Sequence, residues 1–139
     1  MNSSLANKVG ERLCEIDQKI MSLFGFELVS MTADTAVVQM TVRPDMVNIH
    51  GYCHGGLVFA LADHAFAYAC MASNQAGVTL SANVIYSNPA KLDDRLTAVG
   101  QVTTAGGRTA SCQVLVRNQK DEIVAQYQGV NYRTKQQIV

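Results

Sequence analysis

The sequence has no excess of charge of either sign, and few charges in total. Eleven basic residues balance eleven acidic ones, and charged residues make up only 16% of the 139 residues. A chain without a basic excess has little to attract a polyanion, so we expect no nucleic acid as a partner. At 48% hydrophobic residues the chain is not disordered either. So much apolar surface in a short chain predicts a homo-oligomer in which other copies cover part of it.

A cysteine framework is also absent. The four cysteines lie far apart and form no C-x-x-C pair, which is typical of reduced thiols and predicts a cytoplasmic protein. They are Cys14, Cys53, Cys70 and Cys112.

No apolar run is long enough for a membrane span. The longest, residues 57–72, is interrupted by Asp63 and His64 and falls short of the ~20 residues that a spanning helix needs. The N-terminus lacks a basic segment followed by an apolar run, as a signal peptide would have. We therefore expect neither a signal peptide nor a membrane partner.

The apolar periodicity predicts a single α+β domain over residues 1–139. An amphipathic N-terminal helix runs from Leu5 to Phe24, and Gly25 ends it. After Gly25, alternation of apolar and polar residues predicts strands, which are bounded by turn residues such as Asn88-Pro89 and Gly106-Gly107. The predicted strands are 26–31, 35–42, 78–87, 96–104, 109–116 and 123–132.

The apolar stretch 57–72 has no polar stripe, so a helix formed by it must be surrounded by protein. Antiparallel strands before and after one buried helix predict a curved sheet wrapped around that helix, which is the hotdog fold. The many alanines of the stretch 57–72 have small side chains, which allow the helix to lie close to the sheet. A helix buried in an ordinary α+β sandwich is the alternative.

Asp63 is the acidic residue within this apolar helix. Burying an unpaired carboxylate costs several kcal/mol, so a hydrogen-bonding or charged partner must compensate for this cost. One interpretation is a structural aspartate bonded to a hydroxyl or a backbone amide. The other is a functional carboxylate, which the glycine-rich start of the same helix favours.

The segment 48–56, NIHGYCHGG, lies directly before the helix, where free N–H groups and the positive end of the helix dipole are exposed. Glycine lets a ligand approach such a backbone closely, and an amide there can stabilise a developing oxyanion. The alternative is that Gly55 and Gly56 only form a tight turn into the helix.

The spacing of Gly55 and Asp63 limits how they can act. Eight residues of helix separate them by roughly 12 Å, so one chain cannot bring both to a single substrate carbonyl. Two such helices packed antiparallel across a twofold axis would bring each amide to the partner's carboxylate. The sequence therefore predicts two sites shared between protomers.

These residues resemble the PaaI-type hotdog thioesterases, which are related to the phenylacetate-degradation thioesterase and to 4-hydroxybenzoyl-CoA thioesterase. The resemblance rests on Asn48, on His54-Gly55-Gly56 and on Leu61-Ala62-Asp63-His64-Ala65. It extends through Tyr86-Ser87-Asn88-Pro89-Ala90-Lys91 and the hairpin Gly107-Arg108-Thr109.

The resemblance implies an acyl-CoA thioesterase that releases a carboxylic acid and free coenzyme A. Asp63 would be the general base or the nucleophile, and the Gly55 amide would polarise the thioester carbonyl. Asn48 would orient water or substrate, with His54 as a supporting polar contact. Thr79 occupies the place of a family Ser/Thr near the carboxylate.

The resemblance also implies how coenzyme A binds, as part of the substrate and without a metal or another cofactor. Its pantetheine arm would follow residues 86–91, and its phosphates would meet Lys91 or Arg108 near the Gly107 turn. Phenylacetyl-CoA or a hydroxylated aryl-CoA would be the substrate. The enzyme would be a dimer or a dimer of dimers. Ser81 stands where many members carry Asp, which affects the acyl pocket.

Other functions are open at this point. Asp45, Asn48 and His50 faintly resemble the D-x-N-P-x-H motif of hotdog hydratases, although the spacing differs by one and the proline is missing. A non-catalytic acyl-CoA-binding protein on the same scaffold is a further alternative. A metal site at His50 and His54 is disfavoured, because glycines interrupt the helix that such a pair needs.

Overall fold

The computed structural model of the chain describes residues 3–139, with side chains from Leu5 onward. Its helices and strands follow the predicted order. They are α1 (Ser3–Ile16), α2 (Gln18–Phe24), β1 (Glu27–Met31), β2 (Thr35–Thr41), α3 (Gly55–Met71), β3 (Gly77–Tyr86), β4 (Arg95–Ala105), β5 (Thr109–Arg117) and β6 (Ile123–Arg133). Each predicted strand is confirmed to within one residue at either end.

The six strands form one antiparallel sheet in the order β1-β2-β4-β5-β6-β3. Helix α3 packs on its inner face, and its buried residues include Leu61, Ala65 and Phe66. A side-chain carbon at Gly100 of β4 would lie 2.8 Å from the Ala65 carbonyl oxygen, so glycine is needed where the helix and the sheet approach each other here. The predicted hotdog architecture is confirmed.

The single N-terminal helix predicted through Phe24 is wrong, because the chain leaves regular helical geometry at Asp17. The Asp17 carboxylate accepts a hydrogen bond of 2.7 Å from the Tyr68 hydroxyl, which ties this point to α3. Beyond the break, Ile20 and Leu23 lie 42% and 61% exposed, and Met21 is the buried residue of α2. Gly25 ends α2 in the left-handed conformation, as predicted.

Strand β3 lies at one edge of the sheet and is largely exposed. Its ten residues include no charge and no proline, and Val78, Leu80 and Ile85 are each more than half exposed. Natural edge strands are usually protected by charges, prolines or short length, because their unpaired backbone groups invite another strand.

None of the helices in the described range is long and apolar enough to cross a membrane.

Candidate active site

The loop before α3 is shaped by the Asn48 side chain. Its Oδ1 accepts hydrogen bonds from the backbone N–H groups of His50 (3.0 Å) and Tyr52 (3.2 Å), and Gly51 takes a positive φ of 76° in the same turn. The Asn48 side-chain NH₂ has no acceptor among the described residues. Asn48 therefore builds the loop with its oxygen and leaves its nitrogen available to a ligand.

Helix α3 begins at Gly55 with a free amide. No acceptor within residues 3–139 takes the Gly55 N–H, and the exposed His54 side chain does not cap the helix. The Tyr86 hydroxyl donates to the Gly55 carbonyl oxygen at 2.7 Å and fixes the first turn. A side-chain carbon at Gly55 would lie 3.1 Å from the Tyr86 ring, so a larger residue there would have to displace this ring.

Asp63 lies half-buried in the middle of α3. Its Oδ1 accepts a hydrogen bond of 2.7 Å from the Tyr127 hydroxyl of β6, and no cation in the described part of the chain pairs with it. The hydroxyl partner considered from the sequence is thus present, and the second carboxylate oxygen, Oδ2, accepts no bond from residues 3–139.

A groove of about 300 Å³ joins the loop, the start of α3 and the end of β3. It brings together two predicted catalytic residues and five of the predicted coenzyme A contacts. These are Asn48 and Gly55, with Tyr86, Ser87, Asn88, Pro89 and Ala90. Lys91 lies at the same end of the sheet, where its backbone bridges to Tyr52.

One chain does not bring all predicted catalytic residues together. Gly55 and Asp63 belong to one continuous helix, in which eight residues separate them by roughly 12 Å. Thr79 lies near the start of β3, opposite Asn131, whereas Gly55 touches the far end of that strand at Tyr86. No hydrogen bond joins Thr79 to Asp63 within the described chain.

The hairpin residues predicted to meet the phosphates lie away from the groove. Gly107 and Arg108 connect β4 to β5 and Thr109 begins β5, at the end of the sheet where β3 starts. Lys91 lies at the opposite end. A single chain therefore brings Lys91, and not Arg108, to the end of the sheet that holds the groove. Strand periodicity alone does not place these two cations relative to each other.

Two further reactive side chains near the loop and the carboxylate, Cys53 and His64, are not suited to catalysis. Burial raises the pKa of the Cys53 thiol to about 11, so the nucleophilic thiolate is scarce near neutral pH. The His64 ring packs between Phe26 and Tyr68, and burial lowers its pKa although Asp17 and Asp63 oppose this shift. Both side chains therefore serve in packing.

Sequence reasoning missed Tyr127. In the sequence it is one of several inward residues of an alternating strand, which predicts packing alone. Its contact with Asp63 joins residues 64 positions apart. The only local signal was the buried carboxylate itself, which required a donor without identifying it.

This geometry agrees with a known family. The model of the thioesterase superfamily matches residues 50–125. The acyl-coenzyme A thioesterase PaaI of Escherichia coli (strain K12) is 39% identical over 109 residues, which cover 78% of this chain and 78% of that protein. The solved structure of the E. coli PaaI protein matches with a TM-score of 0.95 and 34% identity, over 99% of both chains.

Solved structures of relatives extend the comparison to a ligand. A hypothetical thioesterase of Streptococcus pneumoniae TIGR4 with coenzyme A has a TM-score of 0.77 and 29% identity, over 81% of this chain and 90% of that one. Variants of such a protein from the same organism replace an aspartate and a threonine sixteen residues later by alanine. Asp63 and Thr79 have the same separation. By sequence, matched span and fold, this chain belongs to the thioesterase superfamily and, within it, to the PaaI-type hotdog thioesterases.

Proposed function

We propose that this protein is an acyl-CoA thioesterase whose active site combines Gly55 of one chain with Asp63 of a second copy. The observation that carries the proposal is the free Gly55 amide in a groove, with a carboxylate on the same helix too far away to share its ligand. A second copy supplies the missing group to each groove.

Pairing of two β3 strands is the contact that builds the shared site. In an antiparallel pair the Tyr86 end of one β3 lies beside the Gly77 end of the other, which carries Thr79. The two α3 helices then run antiparallel, and the Gly55 amide of one faces the partner's Asp63. The uncharged, exposed face of β3 supports this contact.

The chemistry follows from the two groups. The Gly55 N–H donates to the carbonyl oxygen and stabilises its negative charge as the tetrahedral intermediate forms. Asp63 either takes a proton from the attacking water or attacks the carbonyl carbon itself to form a mixed anhydride that water then opens. On either route the C–S bond breaks, and coenzyme A leaves as a thiolate that takes up a proton.

The remaining predicted residues have supporting roles. The free Asn48 nitrogen orients water or substrate, and His54 provides a polar contact beside it. We assign Thr79 of the partner to the same site as that chain's carboxylate, and a β-bulge directly after Thr79 re-aims the strand. Ser81 stands where many members of the family carry Asp, and we assign it to the acyl pocket on that ground.

Coenzyme A lies in the groove along Tyr86 to Ala90. Its phosphates meet Lys91 of the same chain or the hairpin of the partner, where Gly107 and Thr109 flank Arg108. Neither Lys91 nor Arg108 has an acidic partner within the described residues, so both cations are available to phosphate.

The substrate that we propose is phenylacetyl-CoA or a hydroxylated aryl-CoA, hydrolysed in the cytoplasm by a homotetramer that serves phenylacetate degradation. The E. coli PaaI protein, to which this chain is similar, comes from the phenylacetic acid degradation operon, and this supports the assignment. The proposal thus adds a substrate and a pathway to the thioesterase activity.

Thiol release from short, medium and arylacetyl-CoA esters tests the activity and the substrate together. We expect the highest kcat/KM for arylacetyl-CoA and no ultraviolet loss from crotonyl-CoA, which a hydratase would consume. A preference for straight-chain esters would contradict the substrate. Thiol release from none of them would contradict the activity and favour a binding protein.

A further inference from the structure

Asp63 is held by a hydroxyl that is itself immobilised. Tyr127 is 2% exposed, and its ring packs against Phe59 and Phe66 with centroid distances of 5.4 Å and 5.3 Å. Gly129, two residues along β6, leaves room for this packing, because a side-chain carbon there would lie 2.8 Å from the Phe66 ring. The phenol therefore has one fixed position relative to α3.

The bond between Tyr127 and Asp63 is short and has a fixed direction. The Tyr127 hydroxyl donates to Oδ1 at 2.7 Å, and burial followed by the hydrogen bond and charge of Asp63 raises the pKa of the phenol well above its usual range. The phenol thus stays protonated and remains a donor at any working pH. A bond to an ionised acceptor is stronger than one between neutral groups, and it restricts rotation of the carboxylate.

We infer that Tyr127 is a positioning residue for the hydrolysis, holding Oδ1 of Asp63 so that Oδ2 is the oxygen that acts on water or on the thioester. The inference rests on the proposed role of Asp63. It assigns no proton transfer to the phenol, which does not line the groove of Asn48 and Gly55.

The chain contains a matched control. Tyr68 is also buried and donates at 2.7 Å to an aspartate, Asp17, but that aspartate lies at the junction of α1 and α2. Removing the Tyr68 hydroxyl deletes the same kind of bond outside the site. A loss of activity that follows from weakened folding alone would appear in both variants.

The test compares kcat and KM of Tyr127→Phe and Tyr68→Phe on the best thioester substrate. We expect kcat of Tyr127→Phe to fall by about ten- to a hundredfold, the range for losing a bond to a charged group, with KM nearly unchanged. For Tyr68→Phe we expect kcat near the wild-type value. Equal losses in both variants, or undiminished kcat in Tyr127→Phe, would overturn the inference.

Three further variants keep the result interpretable. With Asp63 already replaced by Asn, adding Tyr127→Phe should lower kcat no further, since no carboxylate remains to be positioned. Full kcat in Asp63→Asn alone would overturn the role of Asp63 and not merely that of Tyr127. If Tyr127→Phe does not fold, Phe66→Leu replaces it in the test, because this change loosens the packing of the Tyr127 ring and keeps the Tyr127 hydroxyl. Unchanged kcat in Phe66→Leu would then overturn the inference.

Discussion

Replacement of Asp63 by Asn is expected to lower kcat by about 10³-fold, within the range that a general base contributes. Asn has nearly the same size, and its side-chain oxygen can still accept the hydrogen bond from Tyr127. The fold and the groove should therefore survive, and KM should change little. Steady-state thiol-release assays on the purified variant and the purified wild type would measure kcat and KM.

Asp17→Asn is the control for this experiment. Asp17 also accepts a tyrosine hydroxyl at 2.7 Å, so its replacement makes the same chemical change at a similar hydrogen bond. We expect kcat of Asp17→Asn to match that of the wild type. Turnover in Asp63→Asn at the wild-type rate would exclude Asp63 as base and as nucleophile.

Introducing a charge into β3 is expected to separate the protomers and to lower kcat/KM strongly. Leu80 is 59% exposed in the single chain and lies at the bulge of β3, so Leu80→Glu should leave the fold of one chain intact. In a paired β3 the carboxylate would be buried without a partner, which costs about several kcal/mol. Sedimentation at the assay concentration should find monomers, with kcat/KM reduced by at least about a hundredfold.

Val29→Glu is the matched variant at the other edge of the sheet. Val29 is 55% exposed and also lies at a bulge, in β1. We expect this variant to keep the assembly and the activity of the wild type. A Leu80→Glu protein that stays dimeric and active would contradict pairing through β3, and a monomer with full activity would contradict a shared site.

The strands and the buried helix could be predicted because they depend on local periodicity. Alternating residues bounded by Asn88-Pro89 or Gly106-Gly107 define strands whatever their neighbours are. The apolar stretch with Asp63 could only be the core helix, and the eight-residue spacing from Gly55 follows from helix geometry alone. The fold was thus accessible from the sequence, and so was the reasoning behind the proposal that two chains share each site.

The errors and omissions concern contacts between distant parts of the chain. The helix break at Asp17 accompanies a bond to Tyr68, 51 residues away, and no local residue signals it. The same holds for Tyr127 beneath Asp63. The distance between Lys91 and Arg108 depends on the length and order of the strands that separate them. Such relations are set by packing and register, which periodicity does not encode.

Mixing two inactive variants tests most directly whether two chains share each site. Asp63→Asn lacks the carboxylate, and Gly55→Val obstructs the amide, because any side chain at position 55 meets the Tyr86 ring. In a heterodimer one groove receives an intact amide and an intact carboxylate, while the other groove receives neither. With subunit exchange confirmed by native mass spectrometry, an equal mixture should regain about a quarter of wild-type activity. A fully exchanged mixture that remains as inactive as its parents would contradict a site built from two chains.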